Sequence, residues 1–357
     1  MPINNKISII FGGKSPEHKA SLESFRHVRD VIQSSPSLDI DCIYYVNRDN
    51  KVVIAPYRAE ETVEDYAWKT GAVPYWRALE QMAARKTYVL NLLHGNYGED
   101  GHIQGAASMM SIPGSFGPVL PASLSMSKAH MSQYVAKVHP LAKMPRTLIL
   151  SEEDQTPASN QIEETFHGCN IVLKPNSLGA SLFTNRYQVD NYSISEIQDN
   201  LDTIFEFDRH ALAQDYIAGD EYSVGCIQFN GVVTALPVVK IKTAGNFFGH
   251  EQKHRLGKAK KTVITDDVEI TRTMKQLSRD IFESVGFKNM CRFDFIVTPH
   301  GDIVFLEANP IPGLMRNSIF PKMLEAANIS LDDVILQFRE NYFSEPGKKS
   351  YANYYIE

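Results

Sequence analysis

A β-branched run, Lys6 to Phe11 (KISIIF), stops at Gly12-Gly13 and gives way, after a polar stretch, to apolar residues at helical spacing from Leu22 to Ile32. A switch from period two to period 3.6 across a glycine turn is the mark of a strand–turn–helix unit. The pattern recurs. Ile40 to Val46 reads as a second strand, and Tyr88 to Leu93 (YVLNLL) as a third that runs straight into His94 to Gly101 (HGNYGEDG). Strands alternating with helices predict a parallel sheet, whose ligand sites gather beyond the carboxyl ends of the strands, where both glycine-rich stretches fall.

At 357 residues the chain exceeds the length at which one core keeps growing, so two or three domains are expected. Pro, Gly and Ser crowd residues 112–123 (IPGSFGPVLPAS), which sets a boundary near 121. Met126 to Val138 reads as a helix, and Asn170 to Lys174 with Ser181 to Asn185 as a hairpin joined by Pro175 to Ala180. Strand-like runs at 222–229, 232–241, 291–297 and 302–307, with a helix from Val268 to Val285, predict a largely antiparallel sheet. The expected division is therefore 1–121, 122–213, 214–343 and a polar, tyrosine-rich tail at 344–357.

A net charge of -6 argues against a nucleic-acid binder, which carries a basic surplus. The four cysteines, Cys42, Cys169, Cys226 and Cys291, stand far apart, so neither a zinc site nor a disulfide framework is expected. No apolar run approaches the roughly 20 residues of a membrane span, and Met1 to Lys6 has no signal-peptide character. The expectation is a soluble cytoplasmic protein that binds small molecules, not nucleic acid and not a membrane.

The chemistry concentrates late in the chain. Arg292-Phe293-Asp294 and Phe305-Leu306-Glu307-Ala308-Asn309 fall on neighbouring strands, and alternation puts Glu307 and Asn309 on one face. Asp294, Glu307 and Asn309 thus offer oxygen ligands to Mg2+, or Mn2+, which takes a few hard oxygens and leaves the rest of its shell for water and phosphate. Strand-end caps or surface ion pairs would use the same residue types. Lys174 ends an apolar strand before a small-residue connection, and Lys253 lies in a polar stretch from Phe247 to Lys261; both suit phosphate oxygens, although a charge run is commonly a solvated loop. There is no GxxxxGK[ST] loop and no GxGxxG after the first strand.

Taken in order, these segments resemble the D-alanine:D-alanine ligase family over roughly residues 6–340. The match runs through Phe11 to Glu17 (FGGKSPE), His94 to Gly105 (HGNYGEDGHIQG), Ser125-Met126-Ser127-Lys128 and Leu173-Lys174-Pro175. It continues through Gly219 to Val224 (GDEYSV), Ala235 to Val239 (ALPVV), Arg292-Phe293-Asp294, Leu306 to Asn309, Pro312-Gly313 and Ser318.

The resemblance implies an α/β chain with the ATP-grasp fold: an N-terminal Rossmann-like domain, a small central domain and a mainly antiparallel C-terminal domain. It implies ATP as cosubstrate with Mg2+, two amino-acid substrates, an acyl-phosphate intermediate, and a homodimer. By residue, it implies that Lys128, Lys174, Gly179 and Ser181 hold ATP phosphates, that Gln214 and Ile217 line the adenine pocket, and that Glu221 holds the ribose. Glu17 would anchor the first substrate's ammonium beside His94; Arg292 and the Gly313 N–H would stabilise the oxyanion; Ser318 would meet the second substrate's carboxylate; and Lys253 would reach the transferred phosphate.

The chain also departs from the family. Lys174 to Ser181 reads KPNSLGAS, so Ala180 stands in place of the usual serine, and His254 in place of the tyrosine after the loop lysine. Gln214 stands where glutamate is usual, and its carbonyl can still accept a bond from an adenine amino group. Arg316 adds a guanidinium beside the acceptor, suited to an extra carboxylate or simply facing solvent. These departures leave two further expectations beside the default ligase: an amide ligase with another amino-acid acceptor or a ring-closing activity, and a nucleotide-binding homologue without turnover.

Overall fold

The computed structural model describes residues 5–190, 193–229, 231–243 and 259–344. Among these the chain forms three sheets. The first block runs β1 (Lys6–Gly12), α1 (His18–Gln33), β2 (Asp39–Val46), β3 (Lys51–Pro56), α2 (Val63–Trp68), β4 (Val73–Pro74), α3 (Tyr75–Arg85), β5 (Tyr88–Asn91) and α4 (His102–Met109). Its strands lie in the order β4-β3-β2-β1-β5. β1 pairs parallel with both β2 and β5, as the alternation predicted, whereas β3 and β4 are antiparallel. The sheet is thus mixed, not wholly parallel. The reason lies in Asn47-Arg48-Asp49-Asn50, where the Asn47 side chain accepts from Asp49 N and Lys51 N and Asn50 takes φ 59°; so short a turn joins antiparallel strands only.

Gly12 shows why β1 ends where it does. Its φ is +97°, and a Cβ there would lie 2.2 Å from Val46 O. The chain turns tightly and delivers residues 13–17 to the carboxyl end of the sheet.

The second block runs α5 (Val119–Met126), α6 (Lys128–Val138), β6 (Thr147–Ser151), α7 (Ala158–Phe166), β7 (Asn170–Pro175), β8 (Asn185–Gln188), α8 (Ile194–Phe205) and β9 (His210–Asp215), with sheet order β6-β9-β7-β8. The expected hairpin partner Ser181 to Asn185 is corrected here. β7 pairs with Asn185–Gln188, and residues 176–184 form a longer connection in which Ala180, Ser181 and Phe183 hold φ near +54° (55°, 54° and 53°). Non-glycine residues in that region break a strand, which period-two reading cannot foresee. Residue 121 falls inside α5, and residues 213–214 fall inside β9.

The third block comprises β10 (Asp220–Phe229), β11 (Val232–Ala235), β12 (Val239–Thr243), β13 (Ala259–Val263), α9 (Glu269–Val285), β14 (Met290–Val297), β15 (Ile303–Asn309), α10 (Ile319–Ala326) and α11 (Leu331–Ser344). Its sheet, order β13-β12-β10-β14-β15 with β11 also on β10, is antiparallel at every pairing. The run 232–241 divides into two strands around Pro237, which has no N–H to give to a ladder.

The cores cross these blocks. Phe11, Phe25 and Tyr66 share one cluster with Phe320, Val334 and Phe338, so α10 and α11 return to the first sheet. Met131 and Val135 of α6 pack with Phe282, Phe293 and Phe305 of the third block. The four-stranded sheet keeps a core of its own around Leu150, Ile162, Phe166 and Leu173.

Candidate active site

β14 and β15 build the floor of the site. Asp294 stands opposite Glu307 and Arg292 opposite Asn309, while the next pair is Phe295 with Phe305. One step on β14 matches two on β15, so Leu306 is the extra residue of a β-bulge. The bulge lets Phe305 face the core with Phe295 and still turns Glu307 and Asn309 to the polar face with Asp294 and Arg292. Both Arg292 and Asp294 are buried. Arg292 Nε donates to Asp294 Oδ1 at 2.9 Å and its Nη2 to Oδ2 at 2.7 Å, and Ser223 Oγ donates to Oδ1 at 2.6 Å. Burial works against the Arg292 charge, but Asp294 and, more distantly, Glu307 and Glu221 outweigh it and hold its pKa above the ordinary arginine value.

Among the described residues no group of three or more His, Cys, Asp or Glu is placed to hold a metal unaided. Asp294, Glu307 and the Asn309 amide nevertheless offer the oxygen donors that a hard cation takes when it shares its shell with phosphate; both Asp294 oxygens here accept from Arg292. Asn309 Oδ1 here accepts from Ile311 N at 3.0 Å.

Above this floor, α6 points its first turn at the site. Ser127 caps it, and Lys128 Nζ lies 3.7 Å from Glu307 Oε2 while donating to Leu178 O at 2.7 Å. Asn176 Oδ1 accepts from Ala129 N at 3.0 Å, so the connection 176–184 docks on that helix end.

The wall nearest β1 holds Glu17 and His94. A Cβ at Gly179 would fall 2.2 Å from Glu17 Oε1, and one at Gly95 3.2 Å from the same oxygen, so the carboxylate sits between two backbone segments that no side chain obstructs. His94 is buried, with Glu99 Oε1 3.9 Å from Nδ1. Burial opposes protonation of His94, yet the carboxylates of Glu99 and Glu17 overcome it and raise its pKa. In the 313–318 loop Ser318 Oγ lies 3.5 Å from where a Cβ of Gly313 would be, and Arg316, largely exposed, meets Asp30 at 3.4 Å.

One cavity of about 740 Å³ joins these features. Glu17, His94, Lys128, Gly179 and Ala180 line it, as do Arg292, Glu307, Asn309, Gly313, Arg316 and Ser318. Asp294 lies beneath the floor, hydrogen-bonded to Arg292. Lys174, Ser181, Gln214, Ile217 and Glu221 are not part of the lining. Lys174 stands opposite Leu212, and Gln214 opposite Val172 and Thr147, which places Lys174 and Gln214 on the same face of the four-stranded sheet, away from its core. Gln214 Nε2 donates to Thr147 Oγ1 at 2.9 Å. Ile217 lies in the link to β10, and Glu221 near the start of that strand reaches Arg292 by its charge. Lys253 and His254 lie outside the described residues.

Sequence reading missed Ser24, His27 and Asp30 on α1, all of which touch the 313–316 loop. Their spacing of three, beside the apolar Phe25, Val28 and Ile32, is a polar stripe that was visible but had no assigned partner.

The N-terminal model of D-ala D-ala ligase matches residues 6–115, and the C-terminal model matches 139–339. The vancomycin C-type resistance protein of Enterococcus casseliflavus is 30% identical over 352 residues, covering 92% of this chain and 96% of that protein. A D-alanine–D-alanine ligase of Staphylococcus saprophyticus is 27% identical over 343 residues, with 94% of both chains covered. Among solved structures, a D-Ala:D-Ser ligase from Enterococcus faecalis superposes with a TM-score of 0.78 at 23% identity, covering 95% of this chain and 99% of that one. The D-alanine–D-alanine ligase of Coxiella burnetii does so with a TM-score of 0.72 at 20% identity, with 94% of each covered. At these identities the two superpositions speak to the fold.

Proposed function

The chain belongs to the D-alanine:D-alanine ligase family of ATP-dependent, ADP-forming amide ligases, and from that premise we propose which residues carry the reaction and on what substrates. D-Alanine is the first substrate, its ammonium held by Glu17 beside His94. Its carboxylate takes the γ-phosphoryl group of ATP, and the amine of a second D-amino acid attacks the acyl phosphate. The tetrahedral intermediate then collapses, releasing phosphate and a dipeptide. Each step gathers negative charge, so preorganised positive partners lower its barrier most.

Arg292 supplies the guanidinium and Gly313 the N–H for the acyl oxygen, and Ser318 donates to the second substrate's carboxylate. Lys128 and Lys174 neutralise phosphate oxygens, with the backbone of Gly179 and Ser181 closing over them. Gln214 and Ile217 frame the adenine and Glu221 the ribose. Asp294, Glu307 and Asn309 would hold Mg2+, or Mn2+, which when bound supplies charge to the phosphates of ATP. Lys253 is assigned to the transferred phosphoryl group and His254, next to it in sequence, to the catalytic set; the stretch around Lys253 would exclude water, because an acyl phosphate hydrolyses readily. Arg316 lies at the rim of the acceptor side. Family membership further supports a homodimer working in the cytoplasm.

The observation that carries this reading is the register of β14 on β15, which presents Arg292, Glu307 and Asn309 to the same cavity as Lys128 and Glu17. The purified chain, given ATP, Mg2+ and D-alanine, is expected to release ADP and phosphate and to form D-alanyl-D-alanine. A panel of D- and L-amino acids in the acceptor role ranks the second substrate. ADP release that no amino acid accelerates would sink the proposal.

A further inference from the structure

The loop that carries Gly313 is held to α1 by three side chains. Leu314 N–H donates to Ser24 Oγ at 3.2 Å, His27 Nδ1 lies 2.7 Å from Leu314 O, and Arg316 Nη2 lies 3.4 Å from Asp30 Oδ2. These helix residues recur every three positions and share one face. Ser24 differs from the other two. It is fully buried, and its hydroxyl also lies 3.3 Å from His94 Nε2. Behind His94 stands Glu99, whose Oε1 is buried and, among the described residues, has no hydrogen-bond partner.

A hydroxyl oxygen can accept from an amide while it bonds an imidazole through its own proton or a second lone pair. One atom therefore joins the wall of the first-substrate subsite to the peptide plane between Gly313 and Leu314. The Gly313 N–H belongs to the neighbouring plane, hinged to this one at the Gly313 Cα, so anchoring Leu314 N–H limits where the Gly313 N–H can point, and an oxyanion donor is effective only when aimed before charge develops. Resting on the reading of Gly313 as such a donor, we infer that Ser24 is a positioning residue: it anchors the Gly313–Leu314 peptide, thereby restrains the adjoining Gly313 N–H, and couples both to His94. His27 and Asp30, both partly exposed, steady the outer side of the loop and have no such link.

Ser24→Ala and Ser24→Thr test it together, since threonine keeps the oxygen that alanine lacks. Amide hydrogen exchange over residues 310–316 needs no substrate, and steady-state kinetics read the consequence. Loss of one buried hydrogen bond corresponds to about a tenfold effect. Ser24→Ala is expected to speed exchange at Leu314 about tenfold while the four-stranded sheet exchanges as before. It is expected to lower kcat by a similar factor with KM for ATP unchanged, and Ser24→Thr to restore both toward the unmodified chain. In a His94→Gln background the same alanine substitution should add less than a twofold loss, as members of one unit do.

The inference is overturned if Leu314 exchange is unaltered in Ser24→Ala, if it rises equally throughout the chain, if alanine and threonine behave alike, or if the Ser24 and His94 effects on kcat multiply independently. Should the unmodified chain turn over no amino acid, the ligase reading fails by itself, while the exchange measurement still decides the role of Ser24.

Discussion

At Gly179 the space a side chain would fill is already taken by the carboxylate of Glu17. Its φ is not in the left-handed region, so no backbone strain attaches to an alanine there; the contact alone decides the outcome. The obstructing atom is the far end of a flexible side chain, which can move aside at little cost to the fold. Gly179→Ala is therefore expected to change the melting temperature little and to raise KM for the first amino acid about tenfold or more, because the displaced carboxylate no longer meets its ammonium. Unchanged KM with a lowered melting point would show instead that Glu17 does not hold substrate. Beside it, Ala180 has no hydroxyl to offer Glu17; the Gly179 backbone lies against the carboxylate.

Among the elements, the β14–β15 pair ties stability to chemistry through one bulge. Phe305 is almost fully buried and meets Phe295 edge to face at 5.9 Å, on the side of the sheet opposite Glu307. Phe305→Ala should cost about 3–5 kcal/mol of stability through lost burial and a residual cavity. It should also loosen Glu307, two residues on, so that activity per folded molecule falls as well. Chemical denaturation followed beside ADP release checks both; a full stability loss with unaltered turnover would show that the bulge alone holds Glu307 in place. The strands that bear Asp294, Glu307 and Asn309 were legible because β-branched and aromatic residues alternate along them, and the face of Glu307 and Asn309 was legible from period two. The flip at Leu306 was not, since a bulge depends on which residue of the partner strand stands opposite. The same limit explains residues 181–185, where strand-forming composition lost to left-handed backbone at Ala180, Ser181 and Phe183.

Across the whole molecule, α10 and α11 bind the third block to the first in a common core, while the four-stranded sheet has a separate one. The candidate nucleotide residues Lys174 and Gln214 lie on that sheet, and Glu307 and Lys128 lie on the shared body. A ligand bridging both stabilises the folded chain by mass action. ATP with Mg2+ at about 100 times its Kd is expected to add about 2.7 kcal/mol, read as a higher melting temperature than with ADP-free buffer. Lys174→Ala should shrink that increment, measured from the variant's own unliganded melting point, and an increment that survives intact would remove Lys174 from the nucleotide site. No helix among the described residues is long and apolar enough to cross a membrane.

By itself the sequence determined the alternation of elements, the glycine turns, the strand faces of the late carboxylates and the ordered segments that identify the family, because all of these are written in local spacing. Only the tertiary structure decided that Ser24, His27 and Asp30 clamp a loop 286 to 290 residues away, that Gly179 closes on Glu17, and that β3 turns antiparallel. Contacts between distant segments depend on how whole elements pack, and no local period encodes which polar stripe will meet which loop.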